Sequence, residues 1–167
     1  MGYHQHKEAS PKNITCAVIT VSDSRTEETD ESGKFLKERM AAAGHQITFY
    51  TLLKNDPDAI RKTMASLLTQ TGLQVIITTG GTGASHRDVT IETITPMLEK
   101  KLDGFGELFR YLTYQEIGTT SVMSRAMSGI IQGKVIINLP GSLNAVTLAT
   151  EKIILPEVGH MVREATR

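Results

Sequence analysis

Tryptophan is absent, cysteine occurs once, aromatic residues make up 5% of the chain, and neither sign of charge is in excess. Each shortage closes off a class of protein. A single cysteine, Cys16, removes disulfide scaffolds and cysteine-based metal clusters from consideration. It sits within an apolar run and reads as a small buried hydrophobe. With 18 Lys and Arg against 18 Asp and Glu, the chain lacks the basic stripe that extended nucleic-acid binding requires. The same neutrality gives little electrostatic protection against self-association. No run approaches the ~20 apolar residues of a membrane span. The start, "MGYHQHKEASPKN", has no secretory signal, and the residues after Met1-Gly2 match a myristoylation start poorly, so a cytosolic protein is expected.

What is present is a regular alternation. The 167 residues, 40% of them hydrophobic, suffice for one compact domain. Residues 1–13 are polar and without period and read as a flexible tail, in which His4 and His6 can at most grip a stray metal ion. Residues 14–167 form a single domain. "ITCAVITVSD", "QITFYTLL", "QVIITT" and "KVIINLPGS" read as strands, rich in β-branched residues and nearly continuous in hydrophobicity, as in a sheet buried on both faces. Between them lie helical patterns. Phe35, Leu36, Met40 and Ala43 share one face, with Gly44 as the stop. Ile60, Met64, Leu67 and Leu68 form a second stripe, with Asp56 as N-cap and Pro57 at the first helical position. "VTIETITPMLEKKL" reads as a helix in two pieces broken at Pro96. "GFGELFRYLTYQEIG" reads as another, with Phe109, Leu112 and Tyr114 as core candidates. Ser142 caps "LNAVTLATEKIIL", and Pro156 separates it from a terminal helix. The fold class is α/β: a three-layer αβα sandwich on a mostly parallel, doubly wound sheet.

In such a sheet, ligands bind beyond the carboxyl ends of the strands. Four turns stand there: Ser22-Asp23-Ser24, Asn55-Asp56, Gly80 to Asp88, and Asn138 to Ser142. The richest is the run "VIITTGGTGASHRDVTIETI". Glycines directly after a strand let backbone N–H groups approach an anion, so Gly80, Gly81, Thr82 and Gly83 form a candidate phosphate cradle. It is neither a P-loop, which needs a lysine, nor the G-x-G-x-x-G dinucleotide fingerprint.

Several side chains near these turns have two readings. Asp88 can hold Mg²⁺ together with substrate phosphates, or cap the following helix. Asp56 can join it, or serve only as an N-cap. Ser22 and Asp23 can bind ligand hydroxyls or close a turn. Arg87 and Arg125 can clamp an anion or form ordinary ion pairs. His86 can touch a phosphate or simply be solvated, and His45 and His160 lack ligand-spaced partners. Tyr111 and Tyr114, one helical turn apart, read as packing residues.

Taken in order, "TTGGTGASHRDVT", "GFGELFR", "SVMSRAMSG" and "NLPGS" resemble the MoaB/MogA family of molybdenum cofactor proteins, to which the G domain of gephyrin also belongs. The similarity runs from about Ile14 to the C-terminus. It implies a domain that assembles into trimers or hexamers and adenylylates molybdopterin with ATP and Mg²⁺, releasing pyrophosphate. The product then passes to a molybdenum insertase of the MoeA type. Carried over residue by residue, the resemblance implies catalytic roles for Asp56 and Asp88, both also candidate Mg²⁺ ligands. It implies substrate contacts from Ser22, Asp23, Gly80, Gly81, Thr82, Gly83, Ser124 and Arg125, and from Pro140, Gly141 and Ser142.

Pro57, Ile91 and the turn Leu139-Pro140-Gly141-Ser142-Leu143 depart from the pattern of adenylylating members. These departures make the chain more similar to the MoaB branch. They leave a non-catalytic molybdopterin-binding or assembly protein as the alternative to a molybdopterin adenylyltransferase. Chemically, attack of a substrate phosphate on the α-phosphoryl group of ATP needs alignment and charge neutralisation more than a strong base.

Overall fold

The computed structural model describes residues 10–167. His4, His6 and most of the expected tail lie outside the described residues. Pro11 already meets the body of the protein: a Cβ on Gly159 would lie 2.5 Å from its carbonyl oxygen.

Six strands form one sheet: β1 (Thr15–Val21), β2 (Gln46–Leu53), β3 (Val75–Thr79), β4 (Lys100–Lys101), β5 (Met127–Ile131) and β6 (Lys134–Leu139), in the order β2-β1-β3-β6-β5-β4. The first four in that order run parallel, while β5 and β4 are antiparallel additions. Helices α1 (Glu31–Ala42), α2 (Pro57–Leu68), α3 (Thr90–Ile94), α4 (Asp103–Ile117), α5 (Leu143–Ala149) and α6 (Leu155–Ala165) cover the faces. The expected αβα sandwich is present.

The two-residue period of the strands explains why they are apolar throughout. Cys16, Val18, Val75, Ile77, Val135 and Ile137 face one core with Leu36, Met40, Phe109, Val146 and Val158. Ala17, Ile19, Ile76 and Ile136 face the other, with Ile60, Met64, Leu67 and Ile94. Each fully buried aliphatic side chain contributes roughly 1.5–3 kcal/mol. Burial also pushes the Cys16 thiol up to about 12, so this residue stays a neutral packing group.

The caps follow the sequence. Asp56 Oδ1 accepts the Asp58 N–H at 2.9 Å, and Ser142 Oγ accepts that of Ala145 at 3.3 Å. Gly44, at φ +89°, follows the end of α1. Four expectations change. Ala43 is exposed and is the C-cap of α1, outside its buried stripe. The segment after Pro96 is not helical: a 3₁₀ turn over Thr95–Met97 leads to β4, an edge strand made of two exposed lysines. Charged, very short edges resist further strand addition. The strand β5 was not expected; its Ser128-Gly129 pair interrupts the apolar run. Pro156 does not divide two helices. α5 passes through a π-helical turn, Thr150–Ile154, directly into α6, and Pro156 follows immediately after that irregular turn. Among the described residues no helix is long and apolar enough to cross a membrane.

Candidate functional site

The chain runs from β1 outward to β2 and returns to β3 on the other side of β1, so strand order reverses between β1 and β3. Crevices form at such reversals, beyond the carboxyl ends of the strands. A cavity of about 760 Å³ opens there, lined by the turns after β1, β2, β3 and β6 and closed on one side by the end of α4 and the segment after it. Its size falls within the range of small-molecule and cofactor sites.

Backbone contact brings the turns together. Gly80 donates its N–H to Leu139 O at 2.9 Å, and a Cβ on Gly141 would lie 3.1 Å from Gly80 Cα. Gly80 and Gly81 have φ of +88° and +63°; a side chain at Gly80 would strike Val21 at the end of β1, and one at Gly81 would strike Thr90 and Asn55. Thr90 fixes the loop from the other end, donating its hydroxyl to Gly80 O and its N–H to Gly81 O, each at 2.9 Å. These contacts explain why only glycine suits the pair.

Ser22 forms a turn, its Oγ accepting the Ser24 and Arg25 N–H groups at 3.3 and 3.2 Å. Asp23 ties the first two loops together: its carboxylate accepts the Asn55 backbone N–H at 2.9 Å and the Asn55 side-chain amide at 3.1 Å. The Asn55 bonds hold the Asp23 carboxyl below the usual carboxylate range. Asp88 Oδ2 accepts the Ser85 N–H at 3.1 Å and would lie 2.6 Å from a Cβ on Gly83. Arg125 donates to Gly83 O at 3.0 Å and pairs with Glu92, whose carboxyl its hydrogen bond lowers.

Ser22, Asp23, Gly80 to Gly83, Asp88, Ser124, Arg125, Pro140, Gly141 and Ser142 therefore line one cavity. Asp56 does not line it. The carboxylate is exposed and caps α2, whereas the preceding Asn55 reaches the lining. Asp88 does not cap α3, whose N-cap is Val89.

Two lining atoms, Ser124 Oγ and Asn55 Oδ1, are buried without hydrogen-bond partners. The sequence places Asn55 in a candidate turn without a role of its own and does not single out Arg25, because neither belongs to a glycine-loop motif. Arg25 lines the cavity beside the buried Asp30. The three histidines among the described residues contribute no metal set. His86 is exposed, His45 accepts the Ile14 N–H through Nδ1 at 3.2 Å, and His160 lies 3.4 Å from Glu157. Among the described residues, no group of three or more His, Cys, Asp or Glu side chains is arranged to hold a metal. Tyr111 and Tyr114 do not pack inside; they are 59% and 56% exposed on α4.

Known proteins share both sequence and architecture. Residues 17–160 match the family model described as "Probable molybdopterin binding domain". Molybdenum cofactor biosynthesis protein B of Bacillus subtilis (strain 168) is 46% identical over 98% of this chain and 97% of its own. The Bacillus cereus protein of the same name is 44% identical over 100% of this chain and 99% of its own. A crystal structure of molybdenum cofactor biosynthesis protein B superposes with a TM-score of 0.89 at 45% identity, covering 93% of this chain and 98% of that one. The tungsten cofactor synthesizing protein MoaB from Pyrococcus furiosus superposes at 0.85 with 37% identity, covering 95% and 100%. A glycine cradle at the β1/β3 reversal, on a fold and sequence shared end to end with these proteins, makes this chain a member of the molybdopterin-binding MoaB/MogA family of molybdenum cofactor biosynthesis proteins.

Proposed function

We propose that the cavity binds molybdopterin and ATP together and transfers the adenylyl group to the pterin phosphate. The observation that carries this reading is the convergence of the Gly80–Gly83 loop, Asp88 and Arg125 in one cavity. In the reaction, a phosphate oxygen of molybdopterin attacks the α-phosphorus of ATP. A new P–O bond forms while the bond from the α-phosphorus to the bridging oxygen breaks, and its electron pair leaves with pyrophosphate. Such a step depends on alignment and on charge neutralisation.

The protein groups divide that work. Main-chain N–H groups of the glycine loop beyond Gly80, whose own N–H is donated to Leu139 O, bind phosphate oxygens, and Ser124 Oγ, buried and without a partner, supplies a further hydroxyl. Arg125, held on Gly83 O, fixes the loop that presents those amides. Asp88 stands at the glycine loop itself, and one or two carboxylates with phosphates completing the coordination fit Mg²⁺ better than an all-protein metal cage. Asp88 would hold that ion, which when bound neutralises charge on the leaving pyrophosphate. Asp56 stays a candidate second acid through the resemblance; its carboxylate would have to act from outside the lining.

The exposed row Tyr111, Tyr114 and Ile117 on α4, continued by Val122 and Met123, supports assembly into homotrimers or hexamers. The adenylylated product would be handed to an insertase of the MoeA type. Pyrophosphate release on mixing the protein with molybdopterin, ATP and Mg²⁺ tests the reading. Molybdopterin binding without pyrophosphate release would assign the non-catalytic role, and failure to bind either ligand would overturn both.

A further inference from the structure

We infer that Arg25 is an anion-binding residue of the cavity, and that the buried carboxylate of Asp30 is the positioning residue that holds it there. The inference rests on the phosphate-binding reading of the cavity and adds to it a recognition group outside the glycine loop.

Asp30 is the N-cap of α1, and its side chain is 1% exposed. Its carboxylate is satisfied from several sides. Thr20 donates to Oδ2 at 2.6 Å, Tyr50 Oη–H donates to Oδ2 at 2.7 Å, and the Gly33 N–H reaches Oδ1 at 3.0 Å. Three neutral donors stabilise a buried carboxylate without consuming a cation. The Tyr50 phenol is in turn held protonated, its pKa raised by burial and by the bond to Asp30.

Arg25 is therefore not needed to satisfy Asp30, yet it lies beside it. Nη1 is 3.5 Å from Asp30 Oδ1 and donates to Ser32 Oγ at 3.3 Å, while the side chain remains 31% exposed in the cavity lining. Nε and Nη2 make no hydrogen bond among the described residues. A planar guanidinium held at one nitrogen, Nη1, keeps its Nε and Nη2 donors for another partner, and such donors suit phosphate oxygens. Arg125, by contrast, has its guanidinium divided between Gly83 O and Glu92.

The anchor also reaches the floor of the cavity. Ser32 Oγ–H donates to Gly141 O at 2.8 Å, so the start of α1 ties the loop after β1 to the loop after β6.

The test uses inorganic pyrophosphate as the probe, with Mg-ATP in parallel, and titration calorimetry on the full chain. Arg25→Gln should weaken pyrophosphate binding by about tenfold or more, the scale of a hydrogen bond to a charged group. Asp30→Asn should weaken it as well, and should add nothing in the Arg25→Gln background, because Asp30 acts through Arg25. A purely structural role for Asp30 predicts instead that the two losses multiply. If Asp30→Asn does not fold, Arg25→Lys decides: it keeps the charge but gives up the fork, and affinity equal to that of the unaltered protein would overturn the holding role. Undiminished binding by Arg25→Gln sinks this inference alone. No binding of pyrophosphate or Mg-ATP by the unaltered protein sinks the phosphate reading of the cavity, and this inference with it.

Discussion

Gly83 and Asp88 touch across the loop: a methyl group built at Gly83 would fall 2.6 Å from Asp88 Oδ2. Gly83 has no positive φ, so alanine there brings no backbone strain. Gly83→Ala must turn the carboxylate aside while leaving the fold in place. Adenylylation should fall about a hundredfold, the effect of displacing a reacting constellation by roughly 1 Å. Pyrophosphate release and thermal unfolding, measured together, check this; an unaltered rate would detach Asp88 from the chemistry.

At Gly81 the same substitution acts through stability. Its φ is +63°, and a Cβ would lie 2.5 Å from Asn55 Oδ1. Gly81→Ala should cost about 1–3 kcal/mol, the scale of backbone strain at a site that excludes side chains. Equilibrium urea unfolding reads the loss, and a change under a few tenths of a kcal/mol would contradict the crowding.

The two acids expected from the family resemblance separate in Asn variants. Asp88→Asn should lower turnover by orders of magnitude in the presence of Mg²⁺. Asp56→Asn keeps a residue that caps as well as Asp, so stability should stay within about 0.5 kcal/mol. Its loss of turnover should be the smaller of the two, because its carboxylate lies outside the cavity lining. An equal or greater loss would bring Asp56 into the phosphate machinery by a route that the monomer's cavity does not contain.

Much of this site was legible in the chain because an α/β sheet sends every parallel strand end to the same edge. Gly80 to Gly83, Asp88 and Pro140 to Ser142 needed only their strands to be recognised. Asn55 was legible only as part of its turn, since its role depends on pairing with Asp23 in a distant loop, and Arg25 was not legible, since its place depends on how the chain folds back onto Asp30 and Ser32. The Thr20–Asp30–Tyr50 network joins three separate elements and leaves no local pattern. β4 was hidden because two lysines carry no apolar period, and β5 because Ser128 and Gly129 break one. Tyr111 and Tyr114 sit at helical spacing beside buried Phe109, so periodicity alone suggests burial where the structure leaves both exposed.

Acid should loosen the N-terminal end of β1. His45 Nδ1 accepts the Ile14 N–H at 3.2 Å, and burial lowers the imidazole below its ordinary 6.5. The unfolded chain therefore binds a proton more readily than the folded one, and stability rises with pH across this window. The contribution is complete above about pH 6.5 and is lost as pH falls through that value toward the folded pKa. Melting temperatures of the protein and of His45→Gln, compared from pH 7.5 to 5, should converge on acidification. A constant gap would rule out His45 as the source.

The exposed row on α4 predicts self-association. Each chain is 18.3 kDa, and sedimentation equilibrium should give a mass three or six times larger. Replacing Tyr111 and Tyr114 together by Glu should shift the distribution to monomers, since buried unpaired charge at an apolar interface is strongly unfavourable. A monomer from the unaltered chain would end the proposal. Ile117 and Met123 belong both to this row and to the cavity wall, so dissociation should also weaken ligand binding.

Gly80 and Gly141 meet main chain to main chain, with no side chain interposed. Their turns therefore share one length constraint: a residue inserted in either would force apart the ends of β3 and β6. Diversification of ligand preference on this scaffold must then come from substitutions around the rim, at positions such as Arg25, Asn55 and Ser124, while the seam beneath them stays fixed in length.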